Sequence, residues 1–155
     1  MEVRPFRPED APALAAIFHS AVHQIASLHY TQAQVNAWSP EVPDPARFEA
    51  RAADGRLMLV AVDAGDAPLA YGDLEADGHI DHLYCRPDAA GTGVAAALYA
   101  EIEAAAHRRG IARLYTEASQ PARHFFAKRG FVEVSRNNFE IVGVPIHHFR
   151  MEKIL

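Results

Sequence analysis

A pair of glycines between an apolar run and an alanine-rich one constrains this chain more than any other feature. Residues 80–106 read IDHLYCRPDAAGTGVAAALYAEIEAAA. The first six, Ile80 to Cys85, read as a buried strand. Residues 93–109 are rich in alanine, the best helix former, and Gly110 stands where such a helix ends. Gly91 and Gly93 occupy the turn between the two elements. Lacking Cβ atoms, they let backbone N–H groups point outward at the positive end of the helix dipole. A turn of this build holds an anion, most often a phosphate or pyrophosphate.

The rest of the chain reads as a scaffold for that turn. Residues 2–6 form a short strand, and Asp10 is placed to cap a helix with apolar positions Leu14, Ile17, Phe18, Ala21, Val22 and Ile25. Thr31 caps a second helix through Trp38, which Ser39-Pro40 stops, and residues 46–53 form a third. Residues 56–62, 69–75 and 79–85 then read as strands on short connections, an antiparallel meander. Residues 111–117 close a strand–helix–strand unit, expected to be parallel and right-handed. A helix over 121–129 precedes a hairpin of residues 131–141 and 145–153. No repeat or linker divides these 155 residues, so one domain over 1–155 is expected. The fold class is α/β, with a mixed, mostly antiparallel sheet flanked by helices.

Which anion the turn takes is narrowed by charge. The net charge is −5 with no basic run, which argues against nucleic acid. A single cysteine, Cys85, excludes an intrachain disulfide and suits a reducing compartment. The opening MEVRPFRPED has no apolar signal core, and no stretch approaches the ~18 apolar residues of a membrane span. No membrane partner and a cytoplasmic location are therefore expected.

A dinucleotide fingerprint is one rival reading, since Gly91, Gly93 and Ala96 satisfy G-x-G-x-x-G/A. Its context is wrong. Six positions lead from Cys85 to Gly91, with Pro87 among them, where dinucleotide glycines come directly off the strand. Only one strand–helix–strand unit is present, where a dinucleotide domain needs more.

The segment LYCRPDAAGTGVAAALY instead resembles the acyl-CoA-binding motif R/Q-x-x-G-x-G/A of the GCN5-related N-acetyltransferase (GNAT) family, in a bacterial branch. Ala90, Gly93 and Ala95 fall at its positions, with Gly91 in the often-glycine second place. Residues 119–131 (SQPARHFFAKRGF) resemble the family's second landmark, N-x-x-A-x-x-x-Y-x-x-x-G-F. The resemblance implies an acyl-CoA N-acyltransferase fold with a V-shaped splay between the fourth and fifth strands. It implies acetyl-CoA as acetyl donor, held by Leu83, Tyr84, Cys85, Ala90, Gly91, Thr92, Gly93, Val94, Ala95, Ala96, Ser119 and Phe126. The acceptor would be an amine of a small molecule or peptide, acetylated directly in a ternary complex, and a homodimer is open. Two positions depart from the pattern: Ala90 replaces Arg or Gln, and Phe126 replaces the Tyr that protonates the departing thiolate in many relatives. The second departure motivates an alternative, a non-catalytic acyl-CoA-binding sensor or partner module.

Transfer to an amine requires removal of a proton, because a primary alkyl amine is charged at neutral pH. By strand alternation His79, Asp81, Leu83 and Cys85 share one face, and Ile80, His82 and Tyr84 the other. Relatives with an acid/base residue on this strand place it at positions matching His79 or Asp81; water is the third choice. For the missing acid, Tyr30, Tyr84, Tyr115 and His124 are candidates, with solvent as an alternative. His19, His23, His29 and Trp38 are candidates for an acceptor pocket. Cys85 has no base partner in sequence and reads as a buried residue. The groups His79/Asp81/His82 and His147/His148 lack strong ligand spacing, so no metal is expected.

Overall fold

In the computed structural model, which describes residues 1–155, the meander expected from the middle of the chain is present. Strands β1 (Glu2–Pro5), β2 (Leu57–Val62), β3 (Pro68–Leu74) and β4 (Leu83–Cys85) form one antiparallel sheet in that order. Strands β5 (Arg113–Ala118), β6 (Val132–Ile141) and β7 (Val144–Ile154) form a second, in the order β5-β7-β6. Backbone bonds join the two at a parallel bridge between His79 and Tyr115. There Ile80 N donates to Tyr115 O at 2.9 Å and Tyr115 N to Gly78 O at 3.1 Å. Beyond this point the sheets diverge, which is the expected splay between the fourth and fifth strands.

Gly78 makes the bridge sterically possible. Its φ is +96°, and a Cβ there would lie 2.0 Å from Arg113 O. Any other residue would push the two sheets apart at their junction.

Helices α1 (Ala11–Gln24) and α3 (Pro45–Ala52) cover one side of the first sheet and α4 (Val94–Arg108) the other, while α2 (Gln32–Trp38) and α5 (Gln120–Lys128) pack on the second sheet. On α4, Val94, Leu98, Ile102 and Ala106 are buried at four-residue spacing, which is one helical face. Ile111 N donates to Ala106 O at 3.0 Å and Gly110 N to His107 O at 3.1 Å, a Schellman end at the expected glycine. Thr31 caps α2 as expected: its hydroxyl accepts from Gln34 N, and the Gln34 side chain accepts from Thr31 N. No helix is long and apolar enough to cross a membrane.

Two local expectations are corrected. Asp10 does not cap α1; its carboxylate takes both terminal nitrogens of the buried Arg4, at 2.8 and 2.9 Å, and the amide of Arg7. A buried guanidinium demands a partner, and that demand outweighs a cap. The strand expected over 79–85 shrinks to Leu83–Cys85 because a bulge interrupts it. Asp73 Oδ1 accepts the amides of both Asp81 (2.8 Å) and His82 (2.9 Å), while Asp73 N donates to His82 O. Gly72 still opposes Leu83, but Glu75 N reaches His79 O, so the β4 side carries one extra residue.

The bulge also overturns the simple alternation of faces. Ile80 joins Leu83 and Cys85 in the core beneath α4. Asp81 and His82 turn together toward α1 and α3, where Asp81 meets Arg51 and His82 stacks on Phe18.

Candidate active site

The splay exposes backbone in a pattern fixed by pairing. Arg86 N donates to Leu69 O and Asp73 N to His82 O, so residues 82, 84 and 86 of this segment turn their polar groups toward β3. The N–H and C=O groups of Leu83 and Cys85 therefore face away from β3, into the gap. A free strand edge of this kind binds an extended, amide-bearing chain.

The glycine turn ends beside that edge. Gly91 and Gly93 have φ of +75° and +90°, and a Cβ on either would enter open space rather than the protein. The amides of Gly91, Gly93, Val94, Ala95 and Ala96 have no backbone acceptor in the chain, as expected at a helix start. The Thr92 hydroxyl and amide both turn back onto Ala89 O. Ala90 leaves the loop without a side-chain anchor, so the anion site is built from backbone. Its unpartnered amides and unobstructed glycines suit a pyrophosphate.

Two cavities meet at the splay. One, of about 280 Å³, runs from Ala90, Gly91 and Ala95 along Leu83, Tyr84 and Cys85 to Ser119 and Phe126. The other, of about 410 Å³, continues past the same Leu83, Tyr84, Ser119 and Phe126 to Asp81, His82 and Glu117, with Tyr30, Trp38, His147 and His148 in its walls. Ser119 makes no side-chain cap on α5, and Phe126 is buried edge-on against Phe125 and Phe131.

The titratable candidates take distinct states. His79 lies between two carboxylates, with Nε2 2.5 Å from Glu117 Oε2 and Nδ1 2.9 Å from Glu75 Oε1. The Glu117 hydrogen bond, working against burial, raises the imidazole to about 9, so it is a cation at neutral pH. The same hydrogen bond, again against burial, holds the Glu117 carboxyl below its usual range. Burial pushes the Asp81 carboxyl up, but the Arg51 hydrogen bond and the charges of His82, Arg51 and His79 outweigh it. Asp81 Oδ2 sits 2.6 Å from Arg51 and 3.4 Å from Arg56, which also bind Asp73 Oδ2 at 2.7 and 2.9 Å.

His82 is the opposite of His79. Burial, followed by the charge of Arg51, drives it down to about 4. Its Nδ1 lies 3.0 Å from the hydroxyl of the fully buried Tyr71, which has no other partner. A buried phenol must donate somewhere, so Tyr71 donates to Nδ1 and the His82 proton resides on Nε2.

The proposed acids are placed as follows. The Tyr30 hydroxyl donates to His147 O at 3.1 Å and accepts from Gln120 N at 2.8 Å, pinning the start of α5 to β7; burial raises its phenol. Tyr84 stands where the cavities meet, and burial pushes its phenol well up. Tyr115 is bound to Asp77 and His124 is exposed, and neither lines either of the two cavities. His19 and His23 bind Ser39 instead of lining the larger cavity. Burial raises the Cys85 thiol, which favours its protonated form. Glu117 is the site residue that the sequence reading missed as chemistry. Its signal was an acidic side chain near the end of the strand that abuts β4.

Comparison with known proteins agrees with this geometry. Residues 26–155 match the family model described as an acetyltransferase (GNAT) domain. An uncharacterized N-acetyltransferase of Escherichia coli K12, YafP, is 28% identical over 151 residues, covering 97% of this chain and 94% of its own. A GCN5-related N-acetyltransferase crystal structure from Rhodopseudomonas palustris superposes with a TM-score of 0.91 at 38% identity, covering 99% of this chain and 95% of that one. PaiA N-acetyltransferase of Thermoplasma acidophilum, solved with coenzyme A, shares the fold at a TM-score of 0.79 and 18% identity, covering 99% and 98%. The chain belongs to the GNAT family of acetyltransferases.

Proposed function

We propose that residues 1–155 act as one domain that passes an acetyl group directly from acetyl-CoA to a primary amine of a small molecule or peptide, both held at once across the splay. The observation that carries this reading is the meeting of two cavities at Leu83, Tyr84, Ser119 and Phe126. Unpartnered amides mark one side and carboxylates the other.

Acetyl-CoA supplies the acetyl group as a thioester. The amides of Gly91, Gly93, Val94, Ala95 and Ala96 bind the pyrophosphate, and the free edge of β4 pairs with the amide-bearing arm. An N–H of Leu83 or Cys85 donates to the thioester carbonyl and steadies the negative charge that develops there. Glu117 binds the ammonium and guides its proton to water, while His79 orients Glu117 and balances its charge. Asp81, held by Arg51, lines the acceptor side, and Tyr30 fixes the wall where α5 meets β7. The Ser119 hydroxyl, free of partners at the junction, hydrogen-bonds the departing sulfur, and solvent supplies the proton in place of the tyrosine that Phe126 replaces.

Initial rates measured while varying both substrates test this mechanism. Intersecting double-reciprocal lines and no acetylated Cys85 are expected; parallel lines with an acetyl-enzyme would contradict it. Phe126 also favours a second reading, a non-catalytic acyl-CoA module. Saturable CoA binding without thiol release for any amine would select that one.

A further inference from the structure

The larger cavity carries information about its occupant, and the inference rests on the amine-acetylation reading above. Its charged lining consists of Asp81 and Glu117, with no lysine or arginine. The Asp81 charge is already met by Arg51 and Arg56. Glu117 shares the His79 imidazolium with Glu75, which Arg56 also approaches at 3.7 Å, and Arg51 and Arg56 serve Asp54 and Asp73 as well. Oε1 of Glu117 takes no hydrogen bond from the chain. Asp54, Asp73, Glu75, Asp81 and Glu117 thus share Arg51, Arg56 and His79, with the charge of Arg150 reaching Glu117 from β7. Carboxylates still outnumber cations, and that excess calls for an ammonium.

The remaining walls are largely aromatic. Phe18, Tyr30, Trp38 and Phe139 contribute rings to a space of about 410 Å³. That volume lies toward the lower end for small-molecule sites and suits a compact ligand rather than a polymer segment. Arg136, whose charge reaches Tyr30 and His147, sits on the exposed strand β6 and does not line the cavity. A substrate carboxylate would thus be desolvated beside Glu117 without a cationic partner, at a large penalty. A linear polyamine would leave those rings without a flat apolar partner.

We propose that the acceptor is a compact monoamine, one primary ammonium on an aromatic body, without a carboxylate. The amine meets Glu117 and the body lies among the rings of Trp38 and Phe139. The site should discriminate on two counts, against a carboxylate and against a missing ring.

The test follows thiol release from acetyl-CoA by the full chain with 2-phenylethylamine, ethylamine, phenylalanine and spermidine. The expected kcat/KM for 2-phenylethylamine exceeds that for ethylamine by roughly 100-fold and that for phenylalanine by at least about as much. Phe139→Ala, at a partly exposed position on β6, should narrow the preference for the aryl amine over ethylamine by about 5-fold or more. Phenylalanine or spermidine turned over as well as 2-phenylethylamine would overturn the acceptor class and leave acetyl transfer standing. Thiol release with none of the four would overturn the acceptor class; extending the screen to other amines with the same outcome would overturn the acetylation reading too.

Discussion

His79 Nε2 lies 2.5 Å from Glu117 Oε2, beside the bridge where the two sheets join before they part. The pair couples the architecture to the chemistry, because one partner belongs to the segment leading into β4 and the other to β5. Glu117 faces the acceptor cavity, and His79 is behind it, stacked on Tyr115 at 4.7 Å. Glu117→Gln keeps the shape and removes the charge. It should lower kcat/KM for the amine by about 10²-fold or more while leaving CoA affinity within about 2-fold. An unchanged rate would remove Glu117 from the mechanism.

The same pair sets a pH dependence of stability. His79 is raised from 6.5 to about 9, so it binds its proton more tightly when folded. Its contribution is fully present below pH 6.5 and is lost as pH rises through about 9. Between pH 6 and 10 the wild type should lose more thermal stability than His79→Gln, whose curve lacks that fall. Parallel curves would contradict the assignment.

Asp73 is the hub of the bulge. It is buried, accepts two backbone amides through Oδ1 and binds Arg51 and Arg56 through Oδ2. Asp73→Ala would strand both amides and loosen both guanidinium groups, at a cost of about 3–5 kcal/mol. Urea denaturation reads this directly, and a loss below about 1 kcal/mol would show that the bulge holds itself.

Gly93 tests the anion turn. Its φ of +90° disfavours any side chain, and the space a Cβ would enter is where the phosphate is proposed to lie. Gly93→Ala should cost about 1–2 kcal/mol of stability and raise the KM for acetyl-CoA by about 10-fold or more, with a smaller change for the amine. Equal effects on both substrates would argue against the placement.

Much of this was legible in the amino-acid sequence where the signal is local. The glycines before an alanine-rich run, the meander turns, the Thr31 cap and the final hairpin depend on neighbours in the chain. The failures share a different cause. Asp73 replaces a strand acceptor for residues eight and nine positions away, and Arg51 reaches Asp81 across 30. The face of each residue from Ile80 to His82 then depends on a partner that no periodicity displays. Glu117 escaped for the same reason: its role exists only because β5 touches the β4 segment at one bridge. The opposite states of His79 and His82, three positions apart, likewise follow from carboxylates in one case and aromatic burial in the other.

The most direct test of the account is an amide-resolved NMR titration with coenzyme A. Saturable one-to-one changes should concentrate at Gly91, Gly93, Val94, Ala95 and Ala96, and at Leu83 and Cys85, with Tyr84, whose amide is committed to β3, moving least in that strand. Absence of saturable binding, or shifts confined to other surfaces, would contradict it.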